Sequence, residues 1–261
     1  MKHLLILFFL LTTNAFAQGP FGDYAVVKDK DGYVNIRAKE SVKSKIVGTL
    51  PNNTLIYTFF GDDEPNPSNW VYEKNGYIYK SRLKKINEFP SIGKEKETED
   101  SITITDKDIS VTLTQQKFDK TKHKITKKKH KEYSEYIIDG KRAQGLDGDL
   151  FLPEDHYKSI IVTINGKNVP IPKSAYDDLY EVAMYTSNNA VYYDKEEDTI
   201  YIIAHNGSGA FSYEVCWQIV KGEYKTRIVG EPFWSMFLYF YEENNFTSLC
   251  YNRRPTKMYG C

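Results

Sequence analysis

Between Tyr33 and Lys80, apolar and polar positions alternate with period two in short runs separated by turn formers. Val34 and Ile36 alternate with Asn35 and Arg37, the pattern of a strand with one buried face. A polar link at 41–44 leads to a second strand at 46–50, and 55–60 makes a third. Residues 61–69 carry two prolines among turn formers and read as a loop, because proline has no N–H to give a ladder. Residues 70–74 and 77–80 are set to pair across Asn75-Gly76, a dipeptide suited to a tight hairpin.

Residues 87–109 contain Pro90, Gly93 and the charged run 94–100, too little apolar content for a core, and read as a linker. Alternation then resumes across residues 110–233. Asp139-Gly140 and Asn165-Gly166 are hairpin turns, the second placing Val162 opposite Val169 and Ile160 opposite Ile171 on one apolar face. Ser174 and Asp177 form a capping box that predicts a short helix to about Met184. Segments 199–205, 211–220 and 223–229 predict strands, the last two turning at Lys221-Gly222. That turn sets Val215, Trp217 and Ile219 against Ile228, Thr226 and Tyr224. Glu214, Cys216 and Gln218 then fall on a polar face with Arg227 and Lys225. The segment 234–261 is a tail, aromatic first and polar later. No internal repeat is present.

The quoted N-terminal pieces have a family likeness. Tyr33-Val34-Asn35-Ile36-Arg37, Ile46-Val47-Gly48-Thr49-Leu50, Trp70 and Gly76-Tyr77-Ile78-Tyr79-Lys80-Ser81-Arg82-Leu83, in that order and spacing, resemble a bacterial SH3 (SH3b) domain over residues 22–86. The resemblance implies a small β-barrel that binds other molecules. The chain departs from it at Ala38-Lys39-Glu40, where the family has Ser-Gly-Pro, and at Tyr77, where it has a second Trp. Residues 194–229 are vaguely similar to domains in small uncharacterised exported bacterial proteins. The expected fold class is mainly β: an SH3-like small barrel, then an antiparallel β-sandwich or meander domain with one short helix.

Lys2 and His3 precede an apolar run at 4–11, and Ala15-Phe16-Ala17 has the small residues that signal peptidase requires. Residues 1–17 therefore read as a signal peptide cleaved near Ala17. The run is far shorter than the ~20 residues a spanning helix needs. The expected compartment is the periplasm or the exterior, with no transmembrane segment. The 35 basic and 35 acidic residues balance, which argues against a general nucleic-acid binder. The 21 Tyr and 14 Phe suit β-structure and recognition surfaces.

No constellation of reactive residues points to an enzyme. Cys216 lies in mid-strand with no histidine after it, whereas a cysteine nucleophile needs a helix N-terminus or a nearby base. The histidines lack zinc-ligand spacing, Asp147, Asp149, Glu154 and Asp155 lack the alternation of a calcium loop, and 207–209 lacks nucleophile-elbow spacing. No metal or cofactor is expected. Residues 117–131 hold eight lysines and two histidines. Lys120, Lys122 and Lys124 fall on one face of a strand, as at a solvated sheet edge, which is the preferred reading; the same patch suits an anionic polymer. In an exported protein disulfides are permitted. Cys250 and Cys261 are the preferred pair, with a bridge from Cys216 to the tail as the alternative.

The expected function is that of a non-enzymatic binding protein, with a peptide or glycan of the cell envelope, or a protein, as partner. Tyr57, Phe59, Trp70, Tyr72, Tyr77 and Tyr79 are its candidate groove aromatics, most of them expected in the core and two or three exposed, and Asp62, Asp63 and Glu64 would favour a cationic ligand if they rim it. The alternative from another class is an inhibitor or immunity protein acting on a secreted toxin or cell-wall hydrolase. A hydrolase with an unfamiliar site ranks third.

Overall fold

The computed structural model describes residues 22–231, except 63–64, 74–75, 132–133, 147 and 149–150. The signal segment and the Cys250–Cys261 pairing lie outside the described residues. The protein is mainly β: the described residues form five antiparallel sheets, and every described helical segment is a three-residue 3-10 turn. Among the described residues no helix is long and apolar enough to cross a membrane.

The first unit packs a three-stranded sheet, in the order Leu55–Thr58, Asp23–Val27, Leu83–Lys85, against a four-stranded one, Ile46–Pro51, Tyr33–Arg37, Gly76–Tyr79, Trp70–Glu73. The expected alternation holds in Tyr33–Arg37, where Val34 and Ile36 turn inward to meet Ala25, Val27, Ile56, Val71 and Ile78. The two sheets face each other without closing into a barrel.

Two five-stranded sheets make a sandwich. One runs Lys167–Val169, Asp155–Ile164, Ile109–Lys117, Ser101–Asp106, Lys94–Thr98. The other runs Glu223–Gly230, Tyr213–Val220, Thr199–Asn206, Asn189–Asp194, Ser91–Ile92. Ile102, Ile104, Val111, Leu113, Ile160 and Val162 from the first meet Val191, Ile200, Ile202, Val215, Trp217 and Ile219 from the second. A small sheet, Ile125–Lys129, Ser134–Ile138, Lys141–Arg142, packs at the side on Tyr180 and Phe118.

The hairpin turns follow the sequence. Asp139-Gly140, Asn165-Gly166 and Lys221-Gly222 each have both residues at positive φ, the backbone of a type I′ turn, and Val162 does oppose Val169. Asn75-Gly76 differs, because Glu73 pairs with Gly76 and draws that glycine into the strand.

Other expectations are corrected. Residues 87–109 are not a linker: they supply an edge strand to each sheet of the sandwich, Ser91–Ile92 to one and the fully exposed Lys94–Thr98 to the other, and the buried Ile102 and Ile104. The expected helix after Ser174 is only the 3-10 turn Lys173–Ala175. The Ala175 carbonyl, which an α-helix would use internally, accepts from Trp217 Nε1 at 2.8 Å and from Arg227 at 2.9 Å. Lys120–Lys122 is a 3-10 turn capped by Asp119 rather than a strand face.

The largest correction concerns the strand Tyr213–Val220. Ile219 opposes Tyr224 as expected, but a bulge between Gln218 and Ile219 shifts the register by one, so that Val215 meets Val229, Trp217 meets Arg227 and Cys216 meets Ile228. The expected polar face is buried: Glu214, Cys216 and Gln218 are each at most 5% exposed. They lie under the first unit, whose Tyr24, Val26, Leu55, Ile86 and Phe89 pack on Tyr201, Cys216, Ile203 and Ile228. Polar groups close this interface. Gln218 donates to the Asn53 carbonyl at 3.0 Å, Lys28 pairs with the buried Asp194 at 2.7 Å, and the Tyr24 hydroxyl donates to Ile228 O while accepting from Gly230 N, both at 3.1 Å. The sandwich sheet containing Trp217 thus lies between the other sandwich sheet and the first unit.

Candidate functional site

In the hairpin Trp70–Glu73/Gly76–Tyr79, Trp70 opposes Tyr79, Val71 opposes Ile78 and Tyr72 opposes Tyr77. Directly opposed residues share a face, and alternate residues change face. Val71 and Ile78 point into the core, so Trp70, Tyr72, Tyr77 and Tyr79 all point outward. They form two edge-to-face pairs, Trp70–Tyr79 with centroids 5.1 Å apart and Tyr72–Tyr77 at 5.4 Å. Tyr72 and Tyr79 are exposed, Trp70 and Tyr77 half-buried. Arg37 opposes Tyr77 from the neighbouring strand and donates to the Ser44 carbonyl at 2.8 Å.

Gly76 lets the strands come this close. A Cβ there would sit 2.6 Å from the Arg37 carbonyl and 2.7 Å from Ile36 Cγ2, and the carbonyl belongs to backbone that cannot swing aside. Gly76→Ala is expected to destabilise the protein by about 1–3 kcal/mol, measured as a lower urea midpoint.

Four of the six candidate aromatics are therefore together and two are elsewhere. Tyr57 lies on the other sheet and faces the second unit, accepting from Gly22 N at 2.9 Å and donating to Glu231 O at 3.0 Å. Phe59 is half-buried beyond the end of that strand. Tyr33, Ile46 and Val47, not among the candidates, are each 46–47% exposed beside the aromatic face. For Tyr33 the signal was present, since it shares parity with Asn35 and Arg37. The exposure of Ile46 and Val47 was hidden by their resemblance to a core strand.

The acidic loop does not offer a free carboxylate at Asp62, its one described member. Asp62 pairs with Lys85 at 2.7 Å and Lys80 at 2.9 Å, and these cations, Lys85 first, hold its carboxyl below the usual range. Both lysines also lie over the Phe60 ring, 4.5 Å and 5.8 Å from its centroid.

Arg227, expected opposite Cys216, instead reaches Asp178. Burial, reinforced by Glu214, pushes the Cys216 thiol well up, and the thiol is free. His205 pairs with Glu214 at 2.8 Å. Among the described residues no His, Cys, Asp and Glu cluster is arranged to hold a metal.

A second cluster of rings joins the small sheet to the sandwich. Phe118 stacks on His123 at 4.7 Å, His123 meets His156 edge-on at 5.9 Å, and His156 stacks on Tyr180 at 6.0 Å. Gln116 bonds His156 Nε2 at 3.0 Å, and Asp139 bonds His123 Nδ1 at 2.7 Å. Burial lowers the His156 pKa, and the charges of His123 and Lys173 lower it further. An unfolded histidine titrates near ~6.5, so the unfolded chain takes up this proton first as pH falls. Stability is expected to be full above that pH and to decline through it towards the folded value. Urea midpoints at pH 7.5 and 5.5 check this, and His156→Gln should flatten the difference.

No family model, curated protein or solved structure matches this chain.

Proposed function

We propose that this chain is an exported, non-enzymatic binding protein whose first unit, an SH3b-like domain, holds a peptide or glycan of the cell envelope on the face carrying Trp70, Tyr72, Tyr77 and Tyr79. The observation that carries this reading is the division of labour between the two sheets of that unit. One sheet is covered by the sandwich. The other leaves its aromatics in water, and six of the ten exposed large apolar side chains of the described residues fall between Tyr33 and Tyr79. A concentration of that kind marks an interaction surface, and aromatic rings supply contact area at low entropic cost. The SH3b resemblance and the signal-like N-terminus supply the envelope.

The test is retention of the full-length protein by purified cell wall at low salt. Trp70→Ala with Tyr72→Ala is expected to weaken retention by about 2 kcal/mol, roughly 30-fold, while leaving the thermal midpoint within a few degrees. Absence of wild-type retention removes wall targeting.

A further inference from the structure

The zero net charge of the chain conceals a strongly basic lobe. Residues 117–142 hold ten basic side chains against four carboxylates, so the rest of the protein carries a matching acidic excess. The structure gathers this charge on the small sheet and the turn before it. Its outer strand, Ile125–Lys129, is exposed at every position but the first, and its outer edge pairs with no other strand among the described residues.

Some of the lysines are engaged. Lys122 pairs with Asp119 at 3.1 Å, Lys128 approaches Glu135 at 4.0 Å and Lys141 pairs with Asp177 at 2.6 Å. Arg142 pairs with Glu135 at 2.8 Å and Glu231 at 2.7 Å. Lys120, Lys124, Lys127 and Lys129 are exposed and pair with no carboxylate among the described residues. Lys127 rests over the Tyr136 ring, 4.8 Å from its centroid, which fixes its direction while leaving the charge available.

We propose that this lobe docks a linear phosphodiester polymer without bases, of the polyol-phosphate kind. Charge complementarity selects a polyanion, because closely placed cations gain from a string of phosphates by releasing its counterions. What the lobe lacks narrows the choice. Among the described residues between 117 and 142 no large apolar or aromatic side chain is exposed, so these residues offer neither the anchors that enter a lipid interface nor the ring platforms on which single-stranded nucleic acid stacks. Lysine, a hydrated point charge on a flexible stem, suits phosphates without fixed geometry.

The experiment titrates the full-length protein with a poly(glycerol phosphate) oligomer and with single-stranded DNA of equal charge, from 50 to 200 mM salt. Binding to the polyol phosphate is expected, with a log–log salt slope of roughly −3 for four contacts. The variant Lys120→Gln/Lys124→Gln/Lys127→Gln/Lys129→Gln is expected to lose at least tenfold in affinity, and the same four changes to Arg to retain it. Lys39→Gln/Lys43→Gln/Lys45→Gln, in the first unit, should bind as wild type does. Absence of binding at 50 mM salt, equal loss in the first-unit variant or tighter binding to the DNA overturns the proposal. So does a quadruple Gln variant that binds normally but self-associates, since the lysines would then serve only to keep a sheet edge apart.

Discussion

Trp217→Ala is expected to lower the unfolding free energy by about 4 kcal/mol, the largest loss foreseen for a single substitution in this protein. Trp217 is completely buried between the two sandwich sheets, edge-on to the Tyr157 ring at 5.7 Å. Its Nε1 holds the Ala175 carbonyl in the turn that follows the sandwich edge. Alanine removes the indole volume from a site walled by two sheets, which cannot collapse onto the cavity, and leaves Arg227 as the remaining donor to that carbonyl. Trp217→Phe keeps most of the volume and loses the N–H, so it should cost less. Urea unfolding of the three proteins measures the order, and a change below 1 kcal/mol for the alanine variant would contradict this account of the core.

Phe89→Ala is expected to cost about 3 kcal/mol and to do so at one place, the seam between the units. The ring stacks on Tyr201 at 5.6 Å and carries Lys84 over its face at 4.1 Å, joining the chain leaving the first unit to the sheet beneath it. Cys216 lies in the same buried cluster and reports on it. In the wild type its thiol is inaccessible and should resist alkylation. Opening of the seam in the variant should expose it while both cores persist, so that unfolding separates into two transitions. Peptide-resolved mass spectrometry distinguishes Cys216 from the tail cysteines. Equal protection in both proteins would show that the seam does not depend on this ring.

What the sequence disclosed and what it concealed divide along the range of the interactions. The Asp139-Gly140, Asn165-Gly166 and Lys221-Gly222 turns were legible because positive φ is a property of the turn residues themselves, whereas the four outward aromatics of the Trp70–Tyr79 hairpin exceed the two or three exposed rings expected from sequence. Burial of Glu214 and Gln218 was not legible. Their polarity marks a solvent face until the first unit, nearly two hundred residues earlier, is laid over it. The Ser174 capping box failed for a similar reason, since donors from two distant strands took the carbonyl that helix growth needed. Charge density misled at 94–98, where an edge strand exposed on both sides requires no apolar residue of its own.

That edge strand, Lys94-Glu95-Lys96-Glu97-Thr98, also bears on how molecules of this protein meet. Its outer side pairs with no strand among the described residues and is open to another strand, the commonest guest in solution being a second copy. Antiparallel strands related by a twofold axis always oppose residues of like parity, because opposed side chains share a face. With lysine at 94 and 96 and glutamate at 95 and 97, no such register sets Lys against Glu, and those that overlap most set Lys against Lys and Glu against Glu, a repulsive arrangement. A guest with the complementary alternation meets no such barrier, so the strand discriminates against its own kind while remaining open to a stranger.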